Sequence, residues 1–193
     1  MQIISSGDKV ALRTARPLDL EAYLRWMKGG EWLQYDAPWD DLSDFVLPAV
    51  ARERFTKRFL NDTSKPRQKA IICLKENQNT PLGWTNRYGN DRFPDEWLIG
   101  ICICEDDYLN KGFGTEAFGL WVDYLFSNSK IHRIGFATYS FNRRMIRLGE
   151  KLGFRHEGTD REIIYWHNEW LDRLHFGMLR DEWVSARSMP IDK

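Results

Sequence analysis

Residues 101–118 read ICICEDDYLNKGFGTEAF, an apolar strand pattern that passes through a polar loop into an amphipathic helix. The loop contains Gly112 and Gly114, residues that suit a backbone in close approach to another group. Main-chain amides at the start of a helix attract anions, and Lys111 adds a positive charge. The stretch therefore favours a site for a phosphorylated ligand. A tight turn followed by a helix cap is an equally good interpretation of the glycines alone.

Two other phosphate-binding motifs are excluded by the spacing of these residues. The P-loop pattern requires Gly-Lys-Ser/Thr after four intervening residues, and residues 112–118 do not provide it. Residues 112–117 match the letters of a dinucleotide fingerprint, but residues 105–111 separate them from the strand. That fingerprint also expects an acidic residue about 20 positions further on. The chain has Ala137 and Thr138 there, so a Rossmann site is set aside.

Upstream of the loop, the sequence predicts two helices followed by strands. The first strand is predicted at residues 9–14, and Pro17 suits the first turn of a helix. A second helical region covers residues 42–60 and is interrupted at Pro48. The irregular segment 29–41 between the helices is predicted to be a loop. Apolar runs bounded by turn residues then predict strands at 69–75, 81–88 and 96–104.

Downstream of the loop, the spacing of apolar residues becomes that of an amphipathic helix. One face of the predicted helix consists of Phe118, Trp121, Val122 and Leu125. A strand at 131–139 precedes a second helix, which Asn142 caps and Gly153 ends. The chain is predicted to finish with a hairpin whose turn is Asn168-Glu169. The order β-α-α-β-β-β-α-β-α-β-β contains no linker, so residues 1–193 are expected to form one domain.

The composition is that of a soluble globular protein, with 42% hydrophobic and 29% charged residues. Lys+Arg and Asp+Glu both count 28, so no net charge favours nucleic acid or a membrane as a partner. No secretory signal and no apolar run near the ~20 residues of a membrane span are visible. The three cysteines lie in apolar runs, which favours a cytoplasmic protein without disulfides. The histidines lack ligand spacing and Cys102-x-Cys104 has no second pair, so no metal is expected.

Residues 109–114 resemble the pyrophosphate loop of the GNAT superfamily of N-acetyltransferases, Gln/Arg-x-x-Gly-x-Gly/Ala, with Leu109 at the first position. Residues 142–154 are similar to the family element N-x-x-[AS]-x-R-x-x-E-K-L-G-F, with Met145 in place of the small residue. The tail resembles the branch that contains ribosomal-protein N-terminal acetyltransferases and spermidine acetyltransferases. Its matching residues are Glu157-Gly158, Arg161-Glu162, Trp170, Asp172 and FGMLRDEW.

The resemblance implies the GNAT fold, a mixed α/β fold whose central, mostly antiparallel mixed sheet of about seven strands is flanked by about four helices. It also implies acetyl-CoA as the cosubstrate, with the pantetheine arm along the strand that ends near Cys104. Helix capping by Asn142 and a solvated Arg147 are the alternative interpretations of those two residues. The residues expected to bind CoA are Ile101, Cys102, Ile103, Leu109, Asn110, Lys111, Gly112, Phe113, Gly114, Thr115, Asn142, Met145 and Arg147.

The implied reaction is direct attack of a primary amine on the thioester in a ternary complex. An alkylammonium has a pKa near ~10.4, so a base or a water chain must remove a proton. Where relatives often carry a carboxylate this chain has Leu98, and Glu96 on the same strand face is the candidate base. At the position of the family's general-acid tyrosine stands Gly149, and Tyr139 is the candidate substitute. A surface charge and core packing are the other interpretations of Glu96 and Tyr139.

The acceptor is expected near the segment 29–41, where this family places it. Trp32, Tyr35, Asp36 and Trp39 combine aromatic faces with a carboxylate, which suits a cation. A small cationic amine, such as a polyamine or an aminoglycoside, or a peptide N-terminus is therefore expected. An aromatic packing cluster with solvated acids is the competing interpretation.

Two further hypotheses concern the protein as a whole. The first is a homodimer. The second is a CoA-binding protein that has lost catalysis and acts as a sensor or scaffold, an alternative supported by Leu98, Leu109 and Gly149.

Overall fold

The computed structural model describes residues 1–35, 38–39, 47–90 and 93–188. Its strands are β1 (Ile3–Ser6), β2 (Val10–Arg13), β3 (Lys69–Leu74), β4 (Pro81–Asn90), β5 (Phe93–Ile103), β6 (Arg133–Tyr139), β7 (Arg155–Trp166) and β8 (Glu169–Leu179). Its α-helices are α1 (Asp19–Trp26), α2 (Pro48–Phe55), α3 (Phe113–Ser127), α4 (Arg143–Lys151) and α5 (Arg180–Ser188). Short turns of 3₁₀-helix lie at Glu31–Gln34 and Asp106–Tyr108, and a π-helical turn at Thr56–Leu60 continues α2.

The strands form one sheet in the order β1-β2-β3-β4-β5-β6-β8-β7. The pairs β1–β2, β2–β3, β3–β4, β6–β8 and β7–β8 are antiparallel. β5 and β6 are parallel, and their pairing runs from Glu96 opposite Arg133 to Leu98 opposite Gly135. The predicted mixed α/β fold with a mostly antiparallel sheet is therefore confirmed.

The described residues contain eight strands and five α-helices, where about seven and about four were predicted. β1 was missed because IISS is short and half polar, and it becomes a strand by pairing with β2. α5 was missed because β8 runs into it at Arg180 without a turn residue. The Glu182 carboxylate instead accepts a hydrogen bond from the Leu179 N–H at 3.0 Å. Such a bond satisfies a main-chain donor at the start of the helix.

The C-terminal hairpin is longer than predicted, and its turn lies one residue earlier. β7 begins at Arg155, and Trp166 pairs with Glu169 across the turn. The two turn residues are His167 and Asn168, with φ of 49° and 65°. A two-residue hairpin with positive φ at both positions has the twist that flanking strands require. Asn168 tolerates this conformation, whereas the same φ at His167 is not evident from its residue type.

The predicted helix faces and caps agree with the structure. The face of α3 formed by Phe118, Trp121, Val122 and Leu125 is fully buried. Asn142 Oδ1 accepts a hydrogen bond from the Met145 N–H at 3.1 Å, which is an N-cap bond. Gly153 follows the end of α4 with a φ of 83°, the left-handed conformation common at this position.

The chain divides into two compact units, each made of two segments. The first contains Met1–Asn86 and Ile101–Tyr124, and the second contains Arg87–Gly100 and Leu125–Lys193. In the first unit a buried ion pair joins β2 to α1, with Arg13 Nη1 2.6 Å from Asp19 Oδ2. Burial alone would raise the pKa of Asp19, but the hydrogen bonds and charge of Arg13 outweigh it and hold that pKa below its usual value.

In the second unit the core is built from aromatic residues of β6, β8 and the segment after α4. The rings of Phe136 and Phe176 stack with centroids 4.9 Å apart, and Phe154 packs edge-on against Phe136 at 5.2 Å. These side chains are buried, so they fix α4 against this part of the sheet.

Candidate active site

The loop after β5 has the backbone geometry of an anion-binding turn. Leu109 is extended, Asn110 has a φ of 58° and Gly112 a φ of 87°. Asn110, Lys111 and Gly112 are exposed, and α3 begins at the next residue. The Glu116 N–H donates to the Gly112 carbonyl at 3.1 Å. The N–H groups of residues 113–115 precede this bond and are therefore available to an anion.

Lys9 holds this loop from a distant part of the chain. Its main-chain N–H donates to the Glu116 carboxylate at 3.0 Å, and its Nζ donates to the Lys111 carbonyl at 2.9 Å. A Cβ atom at Gly112 would lie 3.5 Å from Lys9 Nζ. Lys9 thus places a second ammonium group beside Lys111, and Glu116 anchors the first turn of α3. No sequence motif marks Lys9, because 102 residues separate it from Lys111.

The end of β5 lies against β4. Ile101, Cys102 and Ile103 are half-buried, and the Cys104 N–H donates to the Leu82 carbonyl at 2.8 Å. At Gly83 a Cβ atom would come within 1.9 Å of the Cys102 carbonyl oxygen. Only glycine permits this approach, so Gly83 sets the position of the Cys102 main chain.

The predicted CoA contacts on α4 belong to the second unit. The Asn142 oxygen is engaged in the N-cap bond, Met145 is half-buried and Arg147 is exposed. The capping role of Asn142 is therefore present in the structure, and contact of these three residues with CoA stays a prediction.

Phe136 explains why a tyrosine is missing at position 149. A Cβ atom on Gly149 would lie 2.4 Å from Phe136 Cζ, so no side chain fits between α4 and β6. The residue that the family often uses as an acid is excluded here by core packing.

The candidate base Glu96 is part of an ion-pair network. Its Oε1 lies 2.7 Å from Arg133 Nε, and Arg133 Nη1 lies 2.6 Å from Glu157 Oε1. The hydrogen bonds with Glu157 and Glu96 raise the pKa of Arg133 although burial opposes them. The carboxylate of Glu96 is thus held by a guanidinium, and its catalytic role stays a prediction.

The candidate acid Tyr139 lies at the end of β6. It is half-buried, it pairs with Arg173 on β8, and its ring stacks on Phe141 with centroids 6.4 Å apart. Packing is thus part of its role, and proton transfer by Tyr139 also stays a prediction.

The four predicted acceptor residues have different surroundings. Trp32 is only 7% exposed, its ring meets Trp84 edge-on at 5.2 Å, and its Nε1 donates to the Trp26 carbonyl at 3.3 Å. Tyr35 and Trp39 are half-buried, and Asp36 lies outside the described residues. Trp32 is therefore a core residue of the first unit, and acceptor binding at this segment stays a prediction.

The structure reveals a basic residue, Lys69, beside an aromatic cluster that the sequence did not indicate. The cluster consists of Tyr23, Phe55, Phe59 and Trp84, with Tyr23 centroids 5.2–5.8 Å from the other three. Lys69 Nζ lies 5.3 Å from the Phe59 ring centroid. Burial lowers the pKa of Lys69 to about 8, and burial also raises the pKa of Tyr23. A lysine at the start of an apolar strand gives no sequence sign of this environment.

The described residues provide no group of three or more His, Cys, Asp and Glu side chains that could hold a metal ion. The three cysteines are free thiols. In the described ranges, no helix is long and apolar enough to cross a membrane.

Comparison with known proteins identifies the family of the chain. Residues 9–155 match the family model described as an acetyltransferase (GNAT) domain. The chain is 32% identical over 182 residues to the SPbeta prophage-derived uncharacterized N-acetyltransferase YokL of Bacillus subtilis (strain 168), covering 92% of this chain and 93% of the relative.

Solved structures share the fold. A GNAT-family acetyltransferase from Bacillus anthracis superposes with a TM-score of 0.74 at 23% identity, over 92% of this chain and 99% of that chain. Spermidine N-acetyltransferase from Vibrio cholerae, in complex with CoA and spermine, superposes with a TM-score of 0.71 at 18% identity, over 91% and 98%.

The fold and its relatives define an N-acetyltransferase. The chain belongs to the GNAT acetyltransferase family, whose general reaction is the acetylation of amines by acetyl-CoA.

Proposed function

We propose that the protein transfers the acetyl group of acetyl-CoA to a primary amine by direct attack in a ternary complex. The neutral amine nitrogen attacks the thioester carbonyl, a C–N bond forms and the C–S bond breaks. CoA leaves as a thiolate that takes up a proton, and the acceptor nitrogen loses one.

The observation that carries this proposal is the loop of residues 109–115. Gly112 is left-handed and has no side chain, the first amides of α3 follow it, and the Lys9 ammonium group lies beside it. Lys111 adds a second positive charge to the loop. These features suit the pyrophosphate of CoA, because anions bind where main-chain N–H groups and a helix dipole converge.

The pantetheine arm is proposed to lie along Ile101–Ile103. The pairing of β5 with β6 ends at Leu98, and β5 continues to Ile103. An extended ligand can add to a strand through main-chain hydrogen bonds. A main-chain N–H there would also stabilise the oxyanion of the tetrahedral intermediate, a contribution of about 2.7–4 kcal/mol in studied enzymes. In the second unit, Asn142, Met145 and Arg147 are proposed as further CoA contacts.

Proton transfer is proposed to use Glu96 as the base, with Tyr139 protonating the departing thiolate. The acceptor is proposed to be a small amine or a peptide N-terminus, bound beside Tyr35, Asp36 and Trp39. A structural neighbour that is crystallised with spermine supports a small amine as substrate.

Activity is tested by thiol release from acetyl-CoA with a panel of amines. We expect amine-dependent release of CoA thiol, with the acetylated amine identified by mass spectrometry. A folded protein that binds CoA but acetylates no amine of any class would instead be the sensor or scaffold.

The CoA site is tested by calorimetric titration of Gly112→Val. A side chain at Gly112 occupies the surface proposed for the pyrophosphate, so CoA affinity should fall at least tenfold. A β-branched residue at positive φ also strains the backbone by about 1–3 kcal/mol. Gly153→Val is the matched control, because Gly153 has a similar φ of 83° at the end of α4. Equal CoA affinity of the two variants would remove the assignment of the loop.

A further inference from the structure

We infer that Lys69 binds an anionic group of the acceptor, a carboxylate, and thereby determines which amines the enzyme acetylates. This inference rests on the proposed function and narrows its acceptor to amines that also carry a negative charge.

The ammonium group of Lys69 lies at the edge of the aromatic cluster. Lys69 is the first residue of β3, is paired with Asn86 of β4, and is half-buried. Its Nζ lies 5.3 Å from the centroid of Phe59, whose ring meets Trp84 edge-on at 6.1 Å. The cation is therefore fixed over an aromatic ring and is partly removed from water.

No carboxylate in the described part of the chain forms an ion pair with this ammonium group. The nearby Asp62 carboxylate accepts hydrogen bonds from Ser64 and from the main-chain N–H groups of Gln68 and Lys69. The charges of Arg58 and Arg54 also act on Lys69. Cations that are partly buried are normally paired, so the ammonium group of Lys69 favours an anionic ligand.

Lys69 and the strand that is proposed to hold the thioester border the same aromatic core, because Phe59, over which Lys69 lies, belongs to that core. Cys102, the middle residue of Ile101–Ile103, packs against this core, which contains Tyr23 and Phe59. An acceptor that brings its amine to the thioester at Cys102 can therefore place a second group at Lys69.

The titration of Lys69 gives the proposal a pH signature. Burial, together with the charges of Arg58 and Arg54, lowers its pKa to about 8, and Cys102 and Asp62 oppose this shift. Lys69 is therefore charged below about pH 8 and neutral above it. Recognition of a carboxylate should weaken as the pH rises through this value, because the ammonium group loses its proton.

The test compares γ-aminobutyrate with γ-aminobutyramide at saturating acetyl-CoA. Both offer a primary amine remote from the group that differs, so their amines are deprotonated to similar extents. We expect kcat/KM to be about 10- to 100-fold higher for the carboxylate, the scale of a charged hydrogen bond. This ratio should decline above pH 8, the region of the Lys69 pKa.

Variants of Lys69 distinguish recognition of the substrate carboxylate from a role of Lys69 in packing. Lys69→Gln should bring the ratio of the two substrates close to one, mainly through KM of the carboxylate, with KM for acetyl-CoA unchanged. Lys69→Arg should retain the ratio and remove its decline above pH 8, since arginine does not titrate there. Lys75→Gln is the matched control, because Lys75 is an exposed lysine just beyond the end of β3.

Each remaining outcome has a defined meaning. The inference is wrong, while the proposed function stands, if the wild-type ratio of kcat/KM for the two substrates is near one. The same holds if this ratio is unchanged in Lys69→Gln, or if spermidine is a much better acceptor than γ-aminobutyrate. If no amine is acetylated, the proposed function fails, and the role of Lys69 in acceptor binding fails with it.

Discussion

Arg133 forms ion pairs with two acids of the second unit, one of which is the candidate base Glu96. Its guanidinium contacts the carboxylates of Glu96 on β5 and Glu157 on β7. Both acids therefore contribute to the same ion-pair network, but only Glu96 is a candidate for removing the acceptor proton. The two acids allow the structural and catalytic roles to be measured separately.

We predict that Glu96→Gln lowers kcat by roughly 10²–10⁴-fold, because a general base contributes about this factor. The affinity for acetyl-CoA should not change, and a higher pH should partly restore the rate as solvent deprotonates the acceptor. Glu157→Gln is the matched control, since it removes the other partner of Arg133. Steady-state kinetics that give both variants the same small loss would limit Glu96 to the ion pair.

Residues whose role is local could be predicted from the sequence. The left-handed Gly153 at the end of α4 and the cap bond of Asn142 follow from residue type and neighbours. The roles of Lys9 and Lys69 could not be predicted, because contacts distant in the sequence determine them. Similarly, the exclusion of a side chain at position 149 depends on Phe136 of another element.

At the scale of elements, regular apolar patterns predicted most helices and strands, and irregular segments were less informative. β1 and α5 were not predicted from the sequence. β1 is a strand because it pairs with β2, and α5 continues directly from β8. The segment 29–41 was predicted to be a loop, and the structure adds a 3₁₀ turn at Glu31–Gln34. That turn points Trp32 into the core, a direction that the aromatic composition of the segment does not specify.

This segment gives a prediction in which two tryptophans have different effects. Trp32→Ala should lower stability by about 3–5 kcal/mol, because it leaves a cavity beside Trp84 and Trp26. Trp39→Ala should instead raise KM for the acceptor by roughly tens-fold, as loss of about 2 kcal/mol of cation–π energy implies. Thermal unfolding and acceptor kinetics of both variants check this. If Trp39→Ala changes only the melting temperature, Trp39 has a packing role like that of Trp32 and does not bind the acceptor.

At the scale of the whole molecule, the chain crosses three times between its two compact units. It leaves the first unit after Asn86, within β4, and returns at Ile101, within β5. It leaves again after Tyr124, within α3. Each of these crossings falls inside a helix or strand, whereas domain boundaries normally fall in flexible linkers. That residues 1–193 form one domain stays a prediction.

We therefore predict that the two units unfold together in one transition. Each of the elements β4, β5 and α3 contributes residues to both units. Unfolding of either unit should therefore disrupt elements that the other unit also needs. Differential scanning calorimetry should then give a calorimetric enthalpy equal to the van't Hoff enthalpy, the mark of two-state unfolding. For 193 residues that enthalpy is about 135 kcal/mol near 60 °C. A calorimetric enthalpy roughly twice the van't Hoff value, or two resolved peaks, would show two independent domains.

Acetyl-CoA at about 100 times its Kd should raise the midpoint of the single transition, because binding stabilises the folded state by about 2.7 kcal/mol.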